Sequence, residues 1–447
     1  MGPPPAAGGL LAALRRGDLA GARELRLLGG PEGRLAEVPP EILGLADTLE
    51  FLDLGHNDLA ALPGWFGRLH RLRVLFCSGN RFARLPPVLG DCAALSQVGF
   101  RGSGLVEVPG EALPPALRWL TLTDNRIAAL PDALGARPLL QKLMLAGNRL
   151  RALPENLAGA ESLELLRIAA NGFEALPAGL AALPRLAWLS WAGNPFEDRA
   201  APAPNAAPPV AWSDLAPGPL LGEGASGRVM RATWRREGAE RPVALKLFKG
   251  AMTSDGLPAR EMAACLTAGA HPHLTGGLGR LVDHPEGTQG LLMPLLPEGW
   301  RVLAGPPSLE SCSRDVYDPA LRLTREAALR LLRGVAAGAA HLHARGFGHG
   351  DLYGHNVLWD GTRGEAVLSD FGAASALVPG PEGAVLQRLD VRAFGILAEE
   401  LRGLAPLADP ALDALVQACT GPDPAARPSM AEVLRALDAV AEEARPA

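Results

Sequence analysis

The chain has 447 residues and very little lysine: 43 residues are basic, and only Lys142, Lys246 and Lys249 are lysines. Asparagine occurs nine times and tyrosine twice. Neither charge sign dominates. The formal net charge is −5, which excludes a generic binder of nucleic acid or of anionic membrane. Five cysteines (Cys77, Cys92, Cys265, Cys312, Cys419) form no C-x-x-C pair, so neither a disulfide framework nor a zinc site is expected. No apolar run reaches the roughly 18 residues that a membrane-spanning helix needs. The N-terminal stretch has no basic region ahead of its short apolar run, and Ala6 stands where myristoylation after Gly2 would want Ser or Thr. These absences together predict a cytoplasmic chain. With 48% hydrophobic residues it can bury substantial cores, and its length suits two or three domains.

What is present first is a period. Units of 23 residues start at Leu49, Leu72, Leu95, Leu117, Leu140, Leu163 and Leu186, with one 22-residue step. Each reads L-x-x-L-x-L-x-x-N-x-L, as in Leu117, Leu120, Leu122, Asn125 and Ile127, and most continue with Leu-Pro. This is the leucine-rich-repeat pattern, and it predicts an α/β solenoid over residues 1–198 with an amphipathic capping helix near residues 8–20. Six asparagines (Asn57, Asn80, Asn125, Asn148, Asn171, Asn194) fall where the chain turns out of the strand. An amide that both donates and accepts can satisfy the backbone there; one unit has Ser103 instead. Alternate strand positions are expected to face solvent on the concave side. Phe51, Phe76, Trp119 and Trp188 occupy them, which predicts a surface for a protein or peptide partner. Trp188, in the last unit, also suits a role in shielding the end of the array.

Residues 199–211 are rich in Pro and Ala and read as a spacer. A different pattern occupies 212–443. Leu221, Gly222, Glu223, Gly224, Ala225, Ser226, Gly227, Arg228 and Val229 form a G-x-G-x-x-G-x-V segment, which lets backbone N–H groups approach phosphates. Val243-Ala244-Leu245-Lys246 follows, with Lys246 24 residues after Gly222. In a chain that uses arginine for nearly every positive charge, a lysine here implies a need for a compact ammonium. Glu261 is the sole acidic residue between Asp255 and Asp283 and lies on a helical stretch, a suitable partner for Lys246. The apolar strand ending at Met293, with Leu295 just after it, suits the hinge along which an adenine would lie. Further on come His349-Gly350-Asp351-Leu352-Tyr353-Gly354-His355-Asn356-Val357-Leu358 and Asp370-Phe371-Gly372. An acid to accept a hydroxyl proton, followed by an amide and a second acid with hard oxygens for Mg²⁺, is the set that phosphoryl transfer requires.

On these motifs residues 212–443 resemble the eukaryotic-type protein kinase fold, and the whole chain resembles a bacterial leucine-rich-repeat protein kinase. The resemblance implies an α+β two-lobed domain that binds ATP and Mg²⁺. It implies Lys246 and Glu261 as an ion pair, Asp351 as catalytic base, and Asn356 and Asp370 as metal ligands. Leu221–Val229, Ala244, Met293, Leu295 and Leu358 would then line the nucleotide site. It also matches Asp390 to a buried helix aspartate and Arg427 to a C-lobe arginine, with Glu382 a candidate partner for Arg427.

Four positions depart from the family. Gly350 stands where regulated kinases have arginine, and Tyr353 stands where serine/threonine kinases have a lysine for the γ-phosphate. Asp390 follows only 20 positions after Asp370, with Ser375 the one hydroxyl between them, and no Ala-Pro-Glu occurs. Activation by loop phosphorylation is therefore not expected. His355, four residues after Asp351, is a candidate cation to replace the missing lysine. The expectation is a Mg-ATP-dependent protein kinase, serine/threonine-specific, with repeats that recruit a protein partner. A small-molecule phosphotransferase and a pseudokinase scaffold are the alternatives.

Overall fold

The computed structural model describes residues 7–443, except 32, 178, 181–182, 201–207, 225, 251 and 254. The chain divides into two compact units, Met1–Arg185 and Leu186–Ala447.

The first unit opens with helix α1 (Ala7–Arg16). Seven three-residue strands follow: β1 (Glu24–Arg26), β2 (Phe51–Asp53), β3 (Val74–Phe76), β4 (Gln97–Gly99), β5 (Trp119–Thr121), β6 (Lys142–Met144) and β7 (Leu165–Arg167). Each pairs in parallel with the next, one repeat to the next, as in Phe51 opposite Val74 and Gln97 opposite Trp119. The return path uses single 3-10 turns entered through a proline, for example Gly64–Arg68 after Pro63 and Glu155–Gly159 after Pro154. A proline fits there because its φ is preset and no N–H is wanted. This is a leucine-rich-repeat solenoid. The asparagine ladder explains the fixed spacing. Asn125 Nδ2 donates to Phe100 O and Leu122 O, both at 2.9 Å, while its Oδ1 accepts from Ser103 N and Leu105 N. Asn80, Asn148 and Asn171 repeat this pattern. In the unit without asparagine, Ser103 Oγ donates to Cys77 O at 3.1 Å and keeps the link to the preceding repeat.

The concave positions are less open than alternation suggests. Phe51 packs edge-on against Phe76 with Arg26 over its ring, and is only 9% exposed. Trp119 is half-buried and carries the Lys142 ammonium 4.2 Å from its ring centre. Adjacent strands bring equivalent side chains side by side, so neighbours cover one another.

The second unit starts with the eighth strand of the series, β8 (Trp188–Ser190), and the short α2 (Pro195–Ala200). A six-stranded sheet follows. It contains β9 (Pro209–Ala211), β10 (Leu215–Glu223), β11 (Gly227–Arg236), β12 (Ala239–Phe248), β13 (Gly279–Val282) and β14 (Gly290–Pro294), in the order β10-β11-β12-β14-β13-β9. The end of the Pro/Ala stretch is thus an edge strand, with β9 parallel to β13. Helix α3 (Pro258–Ala268) lies between β12 and β13 in sequence. One face of the sheet is a core of Val210, Leu215, Ala232, Trp234, Val243, Leu245, Leu281 and Leu292.

The remainder is mainly helical: α4 (Arg325–Ala344), α5 (Pro381–Arg402), α6 (Pro410–Thr420) and α7 (Met430–Glu443). Short strands β15 (Arg301–Val302), β17 (Val357–Trp359) and β18 (Ala366–Leu368) form one small sheet; β16 (Phe347–Gly348) and β19 (Ser375–Ala376) form another. All five cysteines are buried free thiols, and burial pushes Cys92 and Cys419 up to about 12. Among the described residues no helix is long and apolar enough to cross a membrane.

Candidate active site

The sheet register places the residues expected at a nucleotide site. Val229 lies opposite Lys246, and Ala244 opposite Met293. Because strand side chains alternate, Val229, Ala244, Lys246 and Met293 share the face opposite the Val243–Leu245–Leu292 core. The glycine segment is the hairpin between β10 and β11, closed by Gly224 N donating to Gly227 O at 2.9 Å. A β-carbon on Gly227 would meet Leu247 O at 2.4 Å, so this glycine is required by close approach to β12. Leu221, Gly222, Glu223, Gly224 and Arg228 are exposed and Ser226 is half-buried; Ala225 lies outside the described residues. Leu295 follows β14 and Leu358 sits on β17, both half-buried.

Lys246 and Glu261 form a buried ion pair between β12 and α3. Burial pulls the ammonium down, but the charges of Asp370 and Glu261 outweigh it and the net shift is upward. For Glu261 burial dominates and raises the carboxyl, with Asp370 adding to it and Lys246 opposing. The lysine's charge is thus secured by two carboxylates, while the ionisation of Glu261 depends on that lysine. The turn after Asp370 packs nearby: a β-carbon on Gly372 would lie 3.8 Å from Glu261 Oε2.

The loop from His349 is built around a buried carboxylate. Asp390 of α5 accepts from His349 N at 2.7 Å and Gly350 N at 2.9 Å, and it pairs with His343 Nε2 at 2.8 Å. Asn356 Nδ2 spends both hydrogens on Asp351, at 2.8 Å to the carbonyl and 2.7 Å to Oδ2, which leaves its amide oxygen as the hard donor. Ser369 N and Oγ both donate to Asn356 O at 2.8 Å, which fixes the neighbouring Asp370 beside Asn356 in the chain path. Asp370 adopts φ +57°, and its Oδ1 accepts from Gly372 N at 3.1 Å. One amide oxygen and one carboxylate are too few for an all-protein metal cage. They do fit Mg²⁺, which is held by a few hard oxygens together with substrate phosphates.

His355 is anchored by Asp315: Nδ1 sits 2.7 Å from Oδ1, and its backbone N–H donates to Oδ2 at 2.9 Å. Burial disfavours its charge, but the Asp315 hydrogen bond and the charges of Asp351 and Asp370 outweigh it and raise the imidazole. Sequence reasoning missed Asp315, which no motif marks. It also missed the Lys249–Glu223 ion pair at the glycine hairpin, although the scarcity of lysine pointed to Lys249 as well as to Lys246. Two expectations change. Trp188 offers nothing to an external partner: it is 1% exposed, and its ring stacks on Tyr353 with centroids 4.1 Å apart. Glu382 is exposed in the first turn of α5 and does not pair with Arg427, which is buried and donates to Gly421 O and Arg388 O.

Residues 216–387 match the family model of protein tyrosine and serine/threonine kinases. The second unit carries a protein kinase domain. The chain is similar to serine/threonine-protein kinase PkaB of Streptomyces coelicolor, 32% identical over 168 residues, 35% of this chain and 36% of that protein. Podocan of Mus musculus is 39% identical over 116 residues, 24% of this chain and 18% of podocan. The chain thus spans 36% and 18% of the lengths of these curated relatives.

Proposed function

We propose that the chain is a Mg-ATP-dependent serine/threonine protein kinase of the cytoplasm, with repeats that recruit a protein partner through the concave surface around Phe76 and Trp119. The observation that carries this reading is the assembled set within one domain: Lys246 paired with Glu261, and Asp351 hydrogen-bonded to Asn356. Lys246 would hold the nucleotide phosphates and Asp351 would accept the proton of the attacking hydroxyl. Asn356 and Asp370 would hold Mg²⁺, whose charge would neutralise the phosphates. The serine/threonine specificity named for PkaB is carried over as part of this proposal.

The test is transfer of labelled γ-phosphate from Mg-ATP by the whole chain. Label on a protein acceptor supports the reading. Label on small molecules of a cell extract alone would mean a small-molecule phosphotransferase, and nucleotide binding without transfer would mean a scaffold.

His355 supplies the cation that Tyr353 cannot. It lies one residue from Asn356 and is held by Asp315. His355→Gln should lower kcat by about ten- to a hundredfold, the scale of one charge-assisted contact to the transferring group, and His355→Arg should restore most of it. Equal kcat for the wild type and both variants would remove His355 from the chemistry.

A further inference from the structure

We propose that the last repeat segment, Trp188 to Glu197, is a positioning element of the kinase: it holds the short activation segment in place, doing what a phosphorylated residue and its arginine do elsewhere. This rests on the kinase reading above.

The contacts lie at three places, all within the second compact unit. At the activation segment, Ser375 Oγ accepts from Trp191 N at 3.0 Å and Ala192 N at 3.1 Å, and donates to Ala373 O. Ala376 is held from both sides: its N–H donates to Glu197 Oε1 at 3.0 Å, and its carbonyl accepts from Trp191 Nε1 at 2.9 Å. The other edge of this short strand pairs with β16. At the catalytic loop, Trp188 stacks on Tyr353 and donates Nε1–H to Leu352 O at 3.0 Å, with the Arg314 guanidinium 5.4 Å from its ring. At α3, Glu197 Oε2 lies 3.7 Å from Arg260, the neighbour of Glu261.

The departures noted in the sequence follow from this packing. Gly350 adopts φ +70°, and a β-carbon there would sit 2.4 Å from Leu189 O and 2.8 Å from Ala373 O. The backbone of the last repeat fills the space an arginine would need. The single hydroxyl of the segment, Ser375, is fully buried, and its oxygen is committed to two backbone donors. It is an anchor and not a modification site. With the segment docked, the Lys246–Glu261 pair and the Asp351–Asn356 bond are both formed. Docking is therefore compatible with the assembled site and acts as a brace.

Two variants of the full chain test this, Trp191→Phe, which removes the donor to Ala376 O together with part of a buried ring, and Ser375→Ala, which removes the shared acceptor and its own donation to Ala373 O. Backbone amides of residues 373–378 should exchange about tenfold faster or more in each, as expected for the loss of at least one buried bond. The kcat for a protein acceptor should fall by a similar factor, while Mg-ATP affinity stays within about twofold. Phosphatase treatment should leave wild-type activity unchanged. Unchanged exchange, unchanged kcat, loss of nucleotide affinity in step with kcat, or loss of activity on phosphatase treatment would each overturn the brace. Exchange is read without catalysis, so a chain that transfers no phosphate would sink the kinase reading while the amides still decide this one.

Discussion

Asp351→Asn should lower phosphoryl transfer by about 10²- to 10⁴-fold, the range of a positioned general base, and leave Mg-ATP affinity within about threefold. The substitution keeps the shape of the side chain. Its amide oxygen must still face Asn356 Nδ2, which sits 2.7 Å from the present carboxylate oxygen. The new NH₂ group then points where the acceptor hydroxyl has to deliver its proton, so a donor meets a donor. On the proposed function nucleotide affinity rests elsewhere, on Lys246 and the glycine hairpin, and should survive. Steady-state transfer to a protein acceptor, with titration of a nonhydrolysable ATP analogue, measures both. A variant with wild-type kcat would remove Asp351 from the role of base. One that loses analogue binding would show that the change had disturbed the loop.

How much of this was legible in the sequence differs between the two units. The solenoid follows from its period, because a strand, an asparagine and a Leu-Pro turn recur at fixed spacing and each needs its neighbour to be buried. The proposed catalytic set was also marked in the sequence: Lys246, Glu261, Asp351, Asn356 and Asp370 lie in local motifs, and the structure pairs Lys246 with Glu261 and Asp351 with Asn356. What could not be read were long-range pairings. Asp315 meets His355 across 40 residues, and Trp191 meets Ser375 across 184. No period or motif links such positions. Trp188 illustrates the limit most clearly. Its place in the repeat marks it as a concave-face residue, and only the three-dimensional path brings it onto Tyr353. Gly350 was legible as a departure from the family but not as a consequence of the Leu189 carbonyl beside it.

Asp390→Ala should be the most destabilising single change in the kinase domain, by about 3–5 kcal/mol, the scale of leaving its buried donors without an acceptor. Asp390 is 2% exposed and serves three donors at once: His349 N, Gly350 N and His343 Nε2. Alanine accepts none of them, and the two N–H groups sit in a loop whose shape sets Asp351. Orphaned buried donors cost about 1–3 kcal/mol each, so three of them account for a loss on this scale. Burial raises the Asp390 carboxyl, but the His343 contact and the backbone donors outweigh it, and the net shift is downward. A carboxylate held lower in the folded state contributes stability that is complete above its unfolded pKa and is lost as pH falls through its folded one. Wild-type stability should therefore drop below about pH 4, the unfolded aspartate value, and the variant should lack this part of the acid dependence. Calorimetric melting of both chains between pH 3 and pH 7 reads the two effects together. Given about 2–4 °C per kcal/mol for a unit of this size, the variant's transition at neutral pH should fall by roughly 10 °C. A variant that melts within about 2 °C of wild type at neutral pH would show that water replaces the carboxylate at no cost, and that Asp390 does not hold the catalytic loop.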